Sequence, residues 1–317
     1  MINRTMVRTH VIQCLYAFYT EGEGTSLNAK KRLLKSFSDT YSLYVLLLSF
    51  TDELTRYAEQ QIEESIARAK AMHRDYVPNR RFVNNRFAQQ VFNNRTVRAY
   101  MHDQQLSWDT GHSAVSSIYK ALLASDFYRE YMDATTCTYE DDKRIWRKIY
   151  SLLLPESAEL VDALDEMEVA LNTQNWSSEL DIVLSFVVKT LKRFEEEKGA
   201  DQPILEMFDS EDELSFAKDL LQQSIEHRDE YQAMIAKHLK GWDADRIAFM
   251  DSLILQTALT EILCFPDIAL EISLNEYIEI AKEYSSDKSY LFVNGILNEI
   301  LRDIKREQGL PKLTRIK

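Results

Sequence analysis

Apolar residues return every three to four positions along most of this chain, which is the spacing that places them on one face of a helix. Near the start this spacing is followed by Val7, Val11, Leu15 and Phe18. Gly22 and Gly24 then interrupt it, because glycine is a poor helix former. The pattern therefore predicts a first helix over residues 3–19.

Helical spacing continues through the rest of the chain. A long helical stretch is predicted over residues 29–71, with a turn near Ser38, and helical segments are predicted within 114–198. Further helices are predicted over residues 210–239, 246–263, 273–284 and 289–305. Ser210 and Ser273 are each followed by glutamate three residues later, which is the pattern of a capping box. The predicted fold class is all-α.

The chain changes character between residues 72 and 113, where arginines are interleaved with phenylalanines and with two pairs of asparagines. Pro78 and Gly111 bracket this stretch, which predicts loops and short helices. We therefore predict three parts, namely an N-terminal helical part over 1–75, a helical insertion over 76–205 and a C-terminal helical domain over 206–317.

Composition adds a charge asymmetry to this picture. The net charge is −13, yet residues 1–100 contain 15 lysines and arginines against 9 acidic residues. An anionic partner such as RNA is therefore attracted to the first hundred residues. The acidic remainder is typical of helices that keep a protein in solution.

Cysteines and apolar runs indicate the compartment. Cys14, Cys137 and Cys264 are far apart and odd in number, so they predict free thiols rather than a disulfide framework. The longest apolar run, residues 44–50, is too short to span a bilayer, and the start lacks the pattern of a secretory signal. These features predict a cytoplasmic protein without a membrane partner.

Catalytic motifs are absent from the sequence. The six histidines form no HExxH pattern, and there is no glycine-rich phosphate loop or GxSxG. Asp109 and His112 are best explained as a polar contact in a loop, and the acidic run 195–197 as a solvated helix end. We therefore predict no enzyme activity, no cofactor and no metal.

The basic and aromatic stretch could instead bind RNA. Arg80, Arg81 and Arg86 can neutralise phosphates, and the neighbouring phenylalanines offer rings on which unpaired bases stack. The alternative is that the rings form the core of short helices while the arginines face water.

Gly295 poses a similar choice, because glycine inside a helix costs about 1 kcal/mol relative to alanine. Close packing of a neighbouring helix is the favoured reason, and approach of a partner is the alternative.

Two sequence blocks resemble the NusB family. Residues 272–284 (ISLNEYIEIAKEY) and 289–297 (SYLFVNGIL) are similar to the family's C-terminal signature. Residues 11–16 (VIQCLY), preceded by Arg4 and Arg8, look like the family's first helix. The resemblance implies a NusB-like helical bundle, here with an additional helical insertion in the centre.

The resemblance also implies a function without catalysis. NusB proteins bind the boxA element of ribosomal RNA transcripts together with NusE, a small-subunit ribosomal protein, and help the transcription elongation complex to resist termination. Carried over by position, the RNA-binding residues are Arg4, Arg8, Gln13, Tyr16, Asp287, Lys288, Ser289, Phe292 and Asn294. Asp251 falls where the family contacts its protein partner.

One departure from the family motivates a second RNA site. Thr5 and Met6 stand where further arginines are expected, so the first helix offers fewer phosphate contacts. Arg80, Arg81 and Arg86 are predicted to compensate. Two other functions remain open, namely a helical protein scaffold without RNA binding and an accessory domain of an RNA-modifying enzyme, for which the chain lacks a glycine-rich cofactor-binding sheet.

Overall fold

The computed structural model describes residues 1–22, 24–239, 248–285 and 288–307, and these residues form an all-helical protein. The α-helices within them are α1 (Arg4–Thr20), α2 (Ser26–Ala71), α3 (Arg86–Phe92), α4 (Arg95–Asp103), α5 (His112–Ala124), α6 (Asp126–Asp133), α7 (Tyr139–Leu152), α8 (Ala158–Leu171), α9 (Trp176–Arg193), α10 (Glu211–Glu226), α11 (Arg228–His238), α12 (Phe249–Cys264), α13 (Leu270–Tyr284) and α14 (Ser289–Glu307). A 3₁₀ helix covers Glu196–Asp201. The predicted all-α fold class is confirmed.

The helices divide into two compact units. The central unit comprises Met1 and Ser38–Met207, and the terminal unit comprises Ile2–Phe37 together with the described residues from Phe208 onward. The boundary between Phe37 and Ser38 falls inside α2. This division follows spatial contacts, and the three-part division of the sequence stays a prediction.

In the terminal unit, α12 is the central helix. It packs against α1, α10, α11, α13 and α14. Every residue from Leu253 to Ile262 is buried, including polar ones such as Gln256 and Glu261. Because α12 is surrounded by other helices, its sequence is apolar on all sides rather than on one stripe. Residues 240–247, which include the predicted start of this helix at 246, lie outside the described residues.

In the central unit, the apolar run at residues 44–50 lies in α2 and is almost completely buried. Tyr150 of α7 donates a hydrogen bond to the carbonyl oxygen of Leu47 (2.5 Å), and the Nε1 of Trp108 donates to that of Leu46 (3.3 Å). The run is therefore the core of a helical unit. Within the described residues, no helix combines the length and the hydropathy of a membrane-spanning segment.

Several local predictions are corrected by the structure. The turn predicted near Ser38 is wrong, because α2 continues through it and the Ser42 hydroxyl donates to the carbonyl oxygen of Ser38 (2.9 Å). Ser210 makes no cap hydrogen bond, although the Glu213 carboxylate does accept from the Asp209 N–H (3.2 Å). Ser273 lies inside α13 and not at its start.

The asparagine pairs have a clear structural role. Asn85 and Asn94 cap α3 and α4, and their side-chain oxygens accept from the N–H groups of Ala88 (2.8 Å) and Val97 (3.0 Å). Both asparagines are fully buried. Because an asparagine cap satisfies an otherwise unpaired helix N–H, the second residue of each pair starts a short helix.

Candidate nucleic-acid interface

Arg4 begins α1 and is exposed to solvent. Its guanidinium lies over the ring of Phe216, 5.3 Å from the ring centroid, and it forms no ion pair with any residue the structure describes. The ring attracts the cation but does not neutralise its charge. Arg4 is therefore placed where an anionic ligand could reach it.

Arg8 lies one turn later and is 1% exposed. Its Nε and Nη2 donate to the two carboxylate oxygens of Glu261, each at 2.8 Å. The hydroxyls of Ser273 (2.7 Å) and Tyr277 (3.0 Å) donate to the same carboxylate. Nη1 of Arg8 is 3.5 Å from the carboxylate of Glu276. The phosphate contact predicted for Arg8 is thus replaced by a structural role, because its guanidinium is buried and bound.

An exposed pair of aromatic rings lies near the other end of α1. Tyr16 is 42% exposed, Phe249 at the start of α12 is 41% exposed, and their ring centroids are 5.5 Å apart. Gln13, one turn before Tyr16, is half-buried. Arg4 and Tyr16 are 12 residues apart on one helix, which separates them by about 18 Å. The predicted RNA-binding residues therefore occur at both ends of α1.

The start of α14 is anchored to the start of α12. The Asp251 carboxylate accepts hydrogen bonds from the hydroxyls of Ser289 (2.9 Å) and Ser285 (2.5 Å). Asp251 is 4% exposed and Ser289 is 5% exposed. The partner contact predicted for Asp251 is replaced by this internal role, whereas the neighbouring Lys288 is exposed. Asp287 lies outside the described residues.

These contacts bring part of the predicted site together. Phe249, which touches Tyr16, is two residues before Asp251, and Asp251 binds Ser289. Tyr16 of α1 is thereby connected to the start of α14. Further along α14, Phe292 is buried and Asn294 is half-buried. Phe292 and Ser289 are buried and anchor α14. Lys288, just before the helix, is exposed, and Asn294 is half-buried.

Comparison with known proteins identifies the family. The NusB family model matches residues 181–302. The transcription antitermination protein NusB of Bacillus subtilis is 40% identical over 108 residues, which are 34% of this chain and 82% of that protein. The proteins of the same name from Salinibacter ruber (38% over 100 residues, 32% and 62%) and Bacillus velezensis (42% over 97 residues, 31% and 75%) are also similar.

The chain belongs to the NusB family. No solved structure is found to match it. The matched range runs from within α9 to within α14 and contains the central helix α12. The remainder of the central unit forms helices α3–α8 and part of α2. The protein is thus a NusB-like helical bundle with an additional helical insertion.

The arginines of the insertion bind other parts of the central unit. Arg80 pairs with Glu59 (2.6 Å) and Glu63 (2.8 Å). Arg81 donates to the carbonyl oxygens of Tyr131 (2.5 Å) and Thr136 (3.1 Å). Their predicted role in RNA binding is not supported by these positions, because the guanidinium groups already hold loops and helices of their own unit.

Arg86 also pairs within the central unit, and two of the neighbouring phenylalanines are buried there. Arg86 forms an ion pair with Glu196 (2.9 Å) and approaches Asp142 (3.5 Å). Phe82 and Phe87 are buried, at 1% and 0% exposure. For these two rings the alternative interpretation of the stretch, a core of short helices, is the correct one.

Sequence reasoning missed two residues that contact the aromatic end of α1. Phe249 was not among the residues predicted to bind RNA, and its importance comes from its contact with Tyr16. Arg228, exposed at the start of α11, lies over the ring of Tyr19 at 4.2 Å from the centroid. Burial raises the pKa of the Tyr19 hydroxyl, which also accepts a hydrogen bond from Gln256 (3.2 Å). The only sequence signal was the aromatic end of the first helix, residues 16–19.

Gly295 corrects another expectation. A Cβ added to it would meet no atom within 4 Å, and its φ is not in the left-handed region. The expected close packing of a neighbouring helix is therefore wrong. We expect Gly295→Ala to raise the free energy of unfolding by up to about 1 kcal/mol, because alanine is the better helix former.

Urea denaturation followed by circular dichroism measures this change. The matched control is Gly199→Ala, which should be destabilising because Gly199 has a φ of +50° that alanine rarely adopts. A loss of stability in Gly295→Ala would contradict the open surroundings of this position.

Proposed function

We propose that this chain is a transcription antitermination factor that binds boxA-type RNA of ribosomal RNA transcripts together with the ribosomal protein NusE, without catalysis. The similarity to proteins named transcription antitermination protein NusB carries this proposal. The RNA surface consists of Arg4, Gln13, Tyr16, Lys288 and Asn294, with Phe249 added from the structure. Asp287 is included from the sequence resemblance.

The exposed groups suit single-stranded RNA. Tyr16 and Phe249 expose aromatic faces on which unpaired bases can stack. Arg4 and Lys288 supply cations for phosphates. The acidic net charge of the chain does not oppose this, because binding depends on the local charge near the contact.

The protein partner has a candidate surface on α14. Leu291 is 57% exposed, and Gly295, one turn later, leaves open space beside the helix backbone. A helix without a side chain at this point allows another chain to approach closely. We propose that NusE docks here, as part of the transcription elongation complex.

RNA binding is tested by filter binding of boxA and scrambled RNA across a salt series, with and without NusE. We expect the double variant Arg4→Ser, Tyr16→Ala to bind boxA RNA at least about tenfold more weakly, because it loses a phosphate contact and a stacking partner. The slope of log K against log salt should fall by about 0.7 for the lost phosphate contact to a single strand.

The matched control is Arg129→Ser, Tyr76→Ala, which removes an exposed arginine and an exposed tyrosine from the central unit. It should bind RNA like the unchanged protein. If the unchanged protein binds NusE but no RNA, the protein scaffold is the better function. If Gly295→Ala keeps full affinity for NusE, the proposed docking surface on α14 is wrong.

A further inference from the structure

A cleft of about 290 Å³ lies in the central unit, between α2, α3, α4 and the loop that follows α4. Its walls include Val91, Val97 and Trp108, all of which are buried. The indole Nε1 of Trp108 donates to the hydroxyl of Ser49 (3.1 Å), which holds the ring in place. The cleft therefore has a preformed apolar floor, and it plays no part in the function proposed above.

A flat aromatic ring stands at the edge of this cleft. Phe92 is 47% exposed, and the guanidinium of Arg98 lies 5.6 Å from its ring centroid. Exposing a phenylalanine ring is unfavourable in water, and a planar ligand that stacks on it removes that cost. The guanidinium lies over one face of the ring, so a planar ligand has the remaining exposed part of Phe92 and the flat guanidinium itself to pack against. This combination suits an aromatic heterocycle that carries a phosphate.

Carboxylates line the same cleft. Asp52 of α2 is half-buried and stands 3.7 Å from Arg56, which is a loose ion pair. Asp109 lies in the loop after α4, and its Oδ2 accepts a hydrogen bond from Ser107 (2.8 Å). Ionised carboxylates only accept hydrogen bonds. The ligand must therefore offer donors along the edge of its ring.

Among the nucleobases, guanine fits this requirement best. Its ring N1–H and its 2-amino group are adjacent donors that can bind both oxygens of one carboxylate. Adenine has no ring N–H on this edge, and cytosine and uracil each offer one donor group there. Two parallel hydrogen bonds to a charged acceptor are stronger and more selective than one.

We propose that this cleft binds a guanine base, presented by a free nucleotide or by an unpaired position of an RNA. The base stacks on Phe92, Asp52 accepts from its N1–H and 2-amino group, and Arg98 contacts the phosphate. This site involves only residues of the central unit, so it does not rest on the antitermination role.

Calorimetric titration of the full chain with GMP, IMP and AMP tests the proposal. IMP is the informative ligand because it lacks the 2-amino group and keeps the rest of the base. We expect GMP to bind, IMP to bind roughly tenfold more weakly through the loss of one charged hydrogen bond, and AMP more weakly still. Equal affinity for GMP and AMP would overturn the choice of guanine.

Two variants assign the site to its residues. Phe92→Ala is expected to weaken GMP binding at least about tenfold, as for the loss of one stacking ring, and Asp52→Asn should remove the preference for GMP over IMP. The matched control is Phe127→Ala, because Phe127 also lies in the central unit beneath a cation, the Nζ of Lys148 at 5.4 Å, but outside this cleft. Phe127→Ala should leave GMP binding unchanged, and circular dichroism should show each variant folded.

The source of the base is decided by single-stranded RNAs that carry one guanine, inosine or adenine in an otherwise uridine sequence. Binding of the guanine RNA with the same loss in Phe92→Ala supports presentation by RNA, and GMP binding alone supports a free nucleotide. If neither GMP nor the guanine RNA binds, or if Phe127→Ala weakens binding as much as Phe92→Ala, the proposal is wrong.

Discussion

Replacing Arg8 with methionine is expected to lower the free energy of unfolding by about 3–5 kcal/mol, which is the usual cost of removing one partner from a buried ion pair. Glu261 is 0% exposed, and Arg8 is its cationic partner at 2.8 Å. Without Arg8, the Glu261 carboxylate loses two charged hydrogen bonds, which neutral donors such as the hydroxyls of Ser273 and Tyr277 do not replace.

The charges in this cluster depend on one another. Burial lowers the pKa of the Arg8 guanidinium, but the hydrogen bond and the charge of Glu261 outweigh burial, so the pKa is raised. Burial and the charge of Glu261 both raise the pKa of Tyr277. Arg8 therefore stays protonated, Tyr277 stays a neutral donor, and the cluster joins α1, α12 and α13 within the terminal unit.

Urea denaturation of Arg8→Met, compared with Arg4→Met, measures this effect. Arg4 begins the same helix but is exposed, so its replacement should change stability by no more than about 0.5 kcal/mol. The double variant Arg8→Met, Glu261→Leu should recover much of the loss, because it leaves no unpaired buried charge. Equal stability of Arg8→Met and Arg4→Met would contradict the structural role of Arg8.

Asp142→Ala is expected to destabilise the central unit by about 2–4 kcal/mol. The Asp142 carboxylate is 2% exposed and accepts from the Tyr131 hydroxyl (2.6 Å) and from the N–H of Arg86 (3.0 Å). It also accepts from the thiol of Cys137 (2.9 Å). Each donor left without an acceptor in a buried position costs about 1–3 kcal/mol.

Cys137 provides a second measurement of the same change. Burial raises the pKa of its thiol, and the hydrogen bond to Asp142 raises it further. Removing the carboxylate should lower that pKa, increase the thiolate fraction and speed alkylation by iodoacetamide at neutral pH. Peptide mapping by mass spectrometry separates Cys137 from Cys14, whose pKa burial raises to about 11.

The neighbouring carboxylate supplies the control. Asp141 completes the capping box of α7 with Thr138 at the surface, and its carboxylate also pairs with Arg144 (3.0 Å). Asp141→Ala should cost less stability than Asp142→Ala and leave the alkylation rate of Cys137 unchanged. Faster alkylation of Cys137 in Asp141→Ala, but not in Asp142→Ala, would show that the thiol is controlled by the cap instead.

The secondary structure was predictable where local patterns decide it. The first helix was predicted over residues 3–19 and is observed over Arg4–Thr20, because helical spacing and the two following glycines act within a few residues. The turn near Ser38 was predicted wrongly. Serine and aspartate also occur inside helices when the neighbouring residues of the helix are buried. Ser273 was predicted to begin a helix but lies inside α13. Its hydroxyl donates to the buried carboxylate of Glu261 instead of capping the helix.

The candidate site was predictable only in part. Arg4 and Tyr16 were identified from the family resemblance and are exposed, whereas Arg8 belongs to the same motif and is buried. Residues four positions apart on a helix share a face. Whether each of them is buried depends on the other helices that it contacts. Phe249 was missed because its contact with Tyr16 joins residues more than 200 positions apart.

The amino-acid sequence by itself determined the all-α class, the NusB resemblance of the two end segments and the unusual basic stretch in the centre, because these depend on residue order and spacing. Only the tertiary structure decided which arginines are available. An arginine is available to a ligand when no carboxylate of the protein pairs with it. The carboxylates that pair with Arg8 and Arg86 come from segments distant in the chain. The sequence shows which residues are charged, whereas the packing of distant segments decides which of these charges are neutralised.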